Sequence, residues 1–285
     1  MTTFGAHAFV WAADWDADGA ERAIAGAAAH GLDFVEIPLL DLEGFPLELT
    51  RSLVERHGVA VTTSLGLPAD RHLPFNPDGA LEYLTGAIEL TAALGADTLT
   101  GALYAHLGTL TRQPPSQREI ELCAEVLGSA VRVAAGHGIS LGIEAINRYE
   151  TYLNNTADQV ADLLDRIDEP NLFAHLDTYH MNIEEKGFRG PIERLGPRLK
   201  YIHLSESDRG TPGTANVDWD DVFAGLRGIG YSGRLAMESF IAVNEALIGA
   251  TAIWRPIVGD PDVLVGDGLS FLRSKSREYG LLEGE

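Results

Sequence analysis

The chain has 285 residues and a mass of 30.7 kDa, and its 45% apolar and 22% charged residues are ordinary for a globular protein. Its length fits one or two domains, because barrels of about 250 residues occur as single domains. Asp and Glu outnumber Lys and Arg by 42 to 21, and the resulting formal charge of −21 argues against binding to nucleic acid or to anionic membranes.

Short apolar runs alternate with longer amphipathic stretches along the whole chain. Nearly continuous apolar runs of this kind are typical of parallel strands that are covered on both faces. The predicted strands, in chain order, are Phe4–Trp11, Phe34–Pro38, Val59–Leu65, Thr98–Leu103, Ser140–Ile146, Leu172–Asp177, Tyr201–Ser205 and Leu235–Phe240.

The stretches between these runs carry helix signals. Between Ser116 and His137 the apolar residues recur with a helical period of about 3.6 residues. Ser116 with Glu119, and Thr156 with Gln159, form two capping boxes, which are typical of helix starts. Several glycines precede strands and are placed to end helices. They are Gly31, Gly58, Gly138 and Gly230.

Eight strands that alternate with helices predict an α/β fold, a single (β/α)₈ TIM barrel that spans residues 1–285 as one domain. An open, doubly wound sheet is the alternative, and its nucleotide-binding fingerprint G-x-G-x-x-G does occur at Gly228–Gly233. This match lies after a helix and before a strand, which is the reverse of the order that phosphate binding needs. We therefore interpret it as a loop.

Signals for disulfides, secretion and membrane insertion are missing from the sequence. The single cysteine, Cys123, cannot form an internal disulfide, and we expect it in the core on a helix. The apolar runs are shorter than the about 20 residues that a membrane span needs. Residues 1–11 lack the basic segment and cleavage site of a signal peptide, so we expect a cytoplasmic protein.

Four successive predicted strands, the fifth to the eighth, each carry an ionisable residue near the end where barrel enzymes place their chemistry. An unpaired carboxylate in such apolar sequence would cost several kcal/mol. Three carboxylates and one imidazole suit a divalent cation such as Mn²⁺, Mg²⁺ or Co²⁺ better than zinc. The sequence therefore predicts a metal site. Its residues are Glu144, Asp177, His203 and Glu238.

Each of these residues has a simpler explanation when it is taken singly. A strand glutamate can pair with a buried arginine, His203 can be a satisfied core residue, and Asp177 can cap the next helix. Their recurrence on four consecutive strands favours a shared metal site, because buried clusters of this kind are usually metal-binding or catalytic.

The segments around these residues resemble the ketose 3-epimerases, namely the D-tagatose, D-psicose (D-allulose) and L-ribulose 3-epimerases among the xylose-isomerase-like barrels. The matching segments are Ile143–Glu150, Leu176–Glu185, His203–Gly213 and Met237–Phe240. A weaker similarity extends from Phe4 to Arg255, so the resemblance covers most of the chain.

The resemblance implies a metal-dependent enzyme that epimerises free ketoses at C3 and forms a homodimer or homotetramer. Mn²⁺ is the first expectation for the metal, with Co²⁺ or Mg²⁺ as alternatives. The implied metal ligands are Glu144, Asp177, His203 and Glu238, of which Glu144 and Glu238 also transfer protons. The implied contacts to the sugar near O1 to O3 come from Glu150, His180 and Arg209.

Three positions depart from the pattern of the resembled family. Ser239 stands where a proline usually follows the last glutamate, Ser207-Asp208 replaces a frequent Asn-Asn pair, and His7 replaces an aromatic residue on the first strand. These departures concern the preferred sugar more than the reaction.

The chemistry also follows from the residue types. A C–H bond next to a ketone is a poor acid, and a metal on the C2 and C3 oxygens stabilises the enediolate that forms on deprotonation. Inversion at C3 then needs a base on one face and an acid on the other, which two glutamates from different strands can supply.

The residues beyond the metal cluster leave alternatives open. Glu150 can form a plain salt bridge with Arg148, Arg209 can be a solvated surface charge, and His180, expected in a loop after Asp177, can be a cap or a surface residue. Aromatic residues can line a sugar pocket or belong to the core. They are Trp11, Trp15, Phe240 and Trp254.

Three other functions compete with the epimerase. An aldose–ketose isomerase, such as a hydroxypyruvate or sugar isomerase, would use the same metal site, although such enzymes more often place a lysine or an extra histidine beside the metal. A DNA-repair endonuclease would need more histidines and a basic groove, which the charge of −21 opposes. A non-catalytic sugar-binding barrel would have little use for four buried ionisable residues.

Overall fold

The computed structural model describes residues 2–241, 248–249, 251 and 253–282. Its strands are all parallel and form a closed barrel in chain order, in which the first strand pairs with the last. The predicted TIM barrel is confirmed. The strands are β1 (Thr3–His7), β2 (Phe34–Pro38), β3 (Ala60–Gly66), β4 (Thr98–Ala102), β5 (Ser140–Glu144), β6 (Leu172–Asp177), β7 (Leu199–His203) and β8 (Arg234–Met237).

Helices connect the strands and cover the outside of the barrel. Both predicted capping boxes are present, Ser116 with Glu119 and Thr156 with Gln159. The predicted C-cap glycines Gly31, Gly58, Gly138 and Gly230 have positive φ angles of 60°, 65°, 72° and 61°. The helices are α1 (Ala17–Ala29), α2 (Leu47–His57), α3 (Pro77–Ala93), α4 (Gln117–Gly136), α5 (Ala157–Ile167), α6 (Thr178–Glu184), α7 (Arg189–Leu195), α8 (Trp219–Gly228) and α9 (Pro261–Glu278).

Several strands end earlier than the apolar runs predict. The first run continues to Trp11, but β1 ends at His7, whose Nδ1 accepts the Phe9 N–H at 3.2 Å and starts a short 3₁₀ helix. The predictions for β5 and β8 are likewise too long. The pairing of β5 with β6 ends at Glu144 and that of β8 with β1 ends at Met237, while the side chains that follow stay buried.

Aromatic rings fill the inside of the barrel below its C-terminal end. Phe34, Phe173 and Tyr201 form a buried cluster there. Two strand glycines make room for the rings, because a Cβ at Gly5 would lie 2.3 Å from the Phe34 ring and one at Gly142 would lie 2.4 Å from Phe173. These rings fill the barrel interior beneath the residues at the C-terminal ends of the strands.

Three smaller predictions have clear outcomes. Cys123 is buried on α4, as expected. The glycine-rich match Gly228–Gly233 lies between the end of α8 and the start of β8, which confirms that it is a loop. Within the described part of the chain, none of the helices is long and apolar enough to cross a membrane.

Candidate active site

A cavity of about 440 Å³ opens at the C-terminal ends of the strands. A larger cavity of about 750 Å³ lies where the strands begin, but its Arg198 and Arg234 pair with acidic neighbours on the surface. The ionisable site residues that sequence analysis singled out, except Asp177, are among the described walls of the smaller cavity. Its described walls include His7, Phe9, Glu36, Ser64, Glu144, Glu150, His180, His203, Arg209, Glu238 and Phe240.

The structure brings the four predicted metal ligands together. Glu144, Asp177 and His203 are the last residues of β5, β6 and β7, and Glu238 directly follows β8. All four are buried. The Nδ1 atom of His203 lies 3.6 Å from a Glu144 oxygen, 3.9 Å from an Asp177 oxygen and 3.5 Å from a Glu238 oxygen. Their role as ligands stays a prediction.

The contacts of the two ring nitrogens of His203 fit a metal ligand. Its Nδ1 is buried and has no hydrogen-bond partner among the described residues, while its Nε2 lies 2.8 Å from a Glu36 oxygen. A histidine that binds a metal usually gives its other ring N–H to a carboxylate in this way. Asp177, His203 and Glu238 together offer a set of ligand atoms that could hold a divalent ion.

Glu36 is a site residue that the sequence analysis missed. It lies on β2, is fully buried, and accepts a 2.6 Å hydrogen bond from the Tyr201 hydroxyl in addition to its contact with His203. The signal was available, because a carboxylate in the apolar run Phe34–Pro38 is as unusual as those on the later strands.

The pKa values of the three carboxyl groups in the cluster shift in different directions. Burial raises the pKa of Glu144 to about 7 and that of Asp177 to about 8. Burial alone would also raise the pKa of Glu238, but the charges of Arg209 and His203 outweigh it and hold that pKa well below its ordinary value. Without a metal, the two glutamates therefore differ in protonation near neutral pH.

Arg209 lies inside the site, so its interpretation as a surface charge is wrong. Its side chain is buried, and Nη1 donates to an Asp177 oxygen at 2.6 Å and to Glu238. The guanidinium carbon lies 4.0 Å from the centre of the Tyr179 ring and 5.0 Å from that of Phe240. Two carboxylates and two aromatic faces thus fix the position of this cation.

His180 is buried beside the cluster on helix α6, not in a loop as the sequence predicted. Its Nδ1 accepts the backbone N–H of Asn147 at 3.2 Å, and its Nε2 lies 3.3 Å from Nη2 of Arg209, which can only donate. That Nε2 lies 3.9 Å from both a Glu144 and an Asp177 oxygen. The Nε2 atom of His180 therefore lies between the guanidinium of Arg209 and two carboxylates of the cluster.

Glu150 does not pair with Arg148, which instead binds Glu184 at 2.6 Å. The Glu150 carboxylate is buried and accepts a hydrogen bond from the Asn147 side-chain amide at 2.7 Å. Burial raises the pKa of Glu150. One asparagine therefore contacts both Glu150 and His180, two of the predicted sugar-binding residues.

The aromatic residues divide between the cavity and other parts of the protein. Phe240 lines the cavity, and its ring centre lies 5.3 Å from that of Phe9. Trp11 and Trp15 belong to the main core, where the Trp15 indole donates to Thr50. Trp254 is 77% exposed. Of the four aromatic candidates, only Phe240 is among the described walls of the cavity.

Similarity to known proteins shows the class of protein to which the chain belongs. The family model of the xylose isomerase-like TIM barrel matches residues 24–275, which is most of the chain. The chain is also 39% identical over 279 residues to an L-ribulose 3-epimerase of Methylomonas sp. strain DH-1, covering 95% of this chain and 97% of the relative. It is 35% identical to a ketose 3-epimerase of Arthrobacter globiformis, covering 95% and 96% of the two chains.

A solved structure agrees with these relatives. The crystal structure of a D-allulose 3-epimerase from Methylomonas sp. in complex with D-allulose superposes with a TM-score of 0.93 at 38% identity, covering 96% of this chain and 97% of the other. The chain therefore belongs to the ketose 3-epimerase family and is an enzyme of the isomerase class.

Proposed function

We propose that this protein is a divalent-metal-dependent enzyme that interconverts free ketoses epimeric at C3. The pairs D-psicose and D-fructose, D-tagatose and D-sorbose, and L-ribulose and L-xylulose are its candidate substrates. One observation carries the proposal: Glu144 and Glu238 lie at the ends of β5 and β8, which two other strands separate, and both lie beside Nδ1 of His203, which has no hydrogen-bond partner among the described residues. The names of the relatives support the choice of ketoses.

Glu144, Asp177, His203 and Glu238 are the residues we propose to hold the metal, with Mn²⁺ as the first candidate and Co²⁺ or Mg²⁺ as alternatives. A divalent ion bound there supplies Lewis-acid stabilisation of the negative charge that develops on the sugar oxygens. Ion binding needs a neutral Nδ1 on His203 and ionised carboxylates, so protons must leave the cluster.

Glu144 and Glu238 then act as the acid–base pair. One glutamate removes the proton from C3 of the sugar, and the other returns a proton to the opposite face. Inversion requires two groups, because a single base can only return a proton to the face from which it came. Positioned acid–base groups contribute typically about 10²- to 10⁴-fold to the rate.

The remaining polar walls of the cavity hold the sugar. His180 contacts a sugar hydroxyl through its Nε2, Arg209 donates from its guanidinium, and the buried carboxylate of Glu150 accepts from a hydroxyl. Arg209 is the only lysine or arginine among the described walls, and it is already paired with two carboxylates. A phosphorylated sugar would need further cations, which favours a free ketose.

Product analysis tests the proposal directly. The Mn²⁺-loaded enzyme is incubated with a panel of free ketoses, and the products are separated by chromatography. Conversion of a ketose to its C3 epimer is the expected result. Formation of an aldose instead would assign the chain to the competing aldose–ketose isomerases, and failure to convert any ketose would contradict the proposal.

Arg209→Ala and His180→Ala should each lower kcat/KM by about 100-fold or more, because misplacement of a bound substrate by about 1 Å can cost that much. Mn²⁺ should still bind, since neither residue is a proposed ligand. Arg194→Ala is the matched control, because it removes an arginine that pairs with Asp158 on the outer surface. Parental kinetics in both site variants would remove these residues from the site.

Glu36→Gln should weaken Mn²⁺ binding by about 10- to 100-fold, the usual effect of changing a residue that orients a metal-binding histidine. The amide keeps the shape of the side chain but removes the charge that faces the ring of His203. Titration of Mn²⁺ followed by electron paramagnetic resonance measures the affinity without any turnover. A dissociation constant equal to that of the parent would show that Glu36 does not act on the metal site.

A further inference from the structure

One buried carboxylate outside the proposed metal cluster gathers four N–H donors. Glu206 follows β7 by three positions and is fully buried. Its Oε1 accepts the backbone N–H groups of Ser207 at 2.9 Å and Val217 at 3.0 Å. Its Oε2 accepts the backbone N–H of Gly213 at 2.9 Å and the indole N–H of Trp219 at 3.0 Å.

These donors are spread over the whole connection between β7 and α8. We call residues 206–219 the arginine loop, because Arg209 belongs to it. Ser207 lies near the start of the loop, Gly213 lies in its middle, Val217 lies near its end, and Trp219 is the first residue of α8. A single side chain therefore ties the start, the centre and the end of the loop together.

Arg209 depends on the shape of this loop. Its backbone N–H donates to the Glu206 carbonyl at 2.9 Å, and its φ angle is +64°, a left-handed conformation that residues other than glycine adopt only where their surroundings hold it. Gly210, which follows Arg209, is also held in place, because its carbonyl accepts a hydrogen bond from the Ser239 hydroxyl at 2.9 Å. The loop thus sets the direction in which the Arg209 side chain leaves the backbone.

We propose that Glu206 is a positioning residue that holds the arginine loop in one conformation and thereby places the Arg209 guanidinium against the bound ketose. The proposal rests on the proposed epimerase function. Glu206 itself does not touch the substrate; it acts through Arg209.

The charge of Glu206 suits this role. Burial alone would raise its pKa, but the four N–H donors outweigh burial and hold the pKa of Glu206 below its ordinary value. An ionised carboxylate offers enough lone pairs for all four donors. A glutamine offers one acceptor oxygen, and its NH₂ group would face two of the N–H donors.

Glu206→Gln tests the proposal with Asp221→Asn as the matched control. Asp221 is also a carboxylate that accepts two backbone N–H groups, those of Phe188 at 2.7 Å and Arg189 at 3.0 Å, but it is not among the described walls of the cavity. We expect Glu206→Gln to lower kcat/KM by about 10- to 100-fold with unchanged Mn²⁺ affinity, and Asp221→Asn to leave both unchanged.

A double-mutant cycle separates positioning from general stability. In the Arg209→Ala background, Glu206→Gln should lower kcat/KM no further, because its effect passes through the missing guanidinium. Trp219→Phe removes one of the four donors to Glu206. Its smaller loss of kcat/KM should vanish in the Arg209→Ala background. This variant carries the test if Glu206→Gln does not fold. Parental kcat/KM in Glu206→Gln, or an equal loss with and without Arg209, would overturn the proposal.

Hydrogen exchange gives a readout that needs no turnover. The amides of Ser207, Gly213 and Val217 should exchange slowly in the parent and faster in Glu206→Gln, while amides in the barrel strands keep their rates. Equal protection in both proteins would overturn the role of Glu206. An enzyme that shows the expected exchange but converts no ketose would contradict the proposed function and not the role of Glu206 in the loop.

Discussion

Glu144→Gln and Glu238→Gln should each abolish epimerisation, with a loss of at least about 10²- to 10⁴-fold in kcat, the usual contribution of a positioned acid or base. Glutamine keeps the shape of the side chain and one oxygen for the metal but removes the group that accepts or returns the proton. Both carboxylates are buried beside His203 and line the cavity.

The two variants should differ from each other in heavy water. A variant that keeps the base on the face of the C3 hydrogen can still remove that hydrogen and return deuterium to the same face. One variant should therefore exchange C3 of the unreacted ketose, and its surviving glutamate is the base for that substrate. Glu193→Gln is the control, because that exposed glutamate pairs with Arg189 outside the site. Parental kcat in either site variant would contradict the two-base scheme.

Removal of divalent metal should abolish activity as completely as loss of a glutamate. Chelation followed by dialysis should give an inactive protein, and Mn²⁺ or Co²⁺ should restore turnover better than Ca²⁺, whose flexible coordination suits a Lewis-acid site poorly. The ion should also raise the melting temperature by several degrees, since an ion at 100 times its dissociation constant stabilises the folded state by about 2.7 kcal/mol.

Metal affinity should depend on pH with a definite sign. Protons occupy Asp177 and Glu144 below their raised pKa values of about 8 and about 7. Burial would lower the pKa of His203, but Glu36 and Glu238 raise it well above its ordinary value. Mn²⁺ must displace these protons, so its affinity should rise from about pH 6 to pH 8. Calorimetry in buffers of different ionisation enthalpy measures the protons released.

For the metal-removal experiment, full activity in a verified metal-free sample would contradict the metal site.

The sequence predicted the fold because parallel barrel strands are apolar on both faces and the helices carry caps. The runs at β2 and β6 match the structure residue for residue. The ends of β1, β5 and β8 could not be predicted in the same way. Buried apolar residues continue past the ends of these strands, because they also line or support the cavity. Each strand stops where its residue pairing with the neighbouring strand ends, and the apolar pattern does not show this position.

The candidate site could be predicted in part, because charged residues are unusual in apolar strand sequence. Glu144, Asp177, His203 and Glu238 could be found because they are charged residues in apolar strand sequence. The position of Arg209 between Asp177 and Glu238 was beyond sequence reasoning, because Arg209 lies on a loop, and the hydrogen bonds that Glu206 accepts across that loop leave no periodic signal in the sequence. The assignment of residues 1–285 to one domain, the homodimer or homotetramer and the cytoplasmic location stay predictions.

Incorporation of deuterium from heavy water tests the central claim most directly. The Mn²⁺-loaded enzyme is allowed to convert a ketose in D₂O, and the recovered epimer is analysed by nuclear magnetic resonance. The two-glutamate account predicts deuterium at C3 of the product, because the returned proton comes from a carboxyl group that has exchanged with solvent. Deuterium at C1 alone, or an epimer without deuterium at C3 after many turnovers, would contradict it.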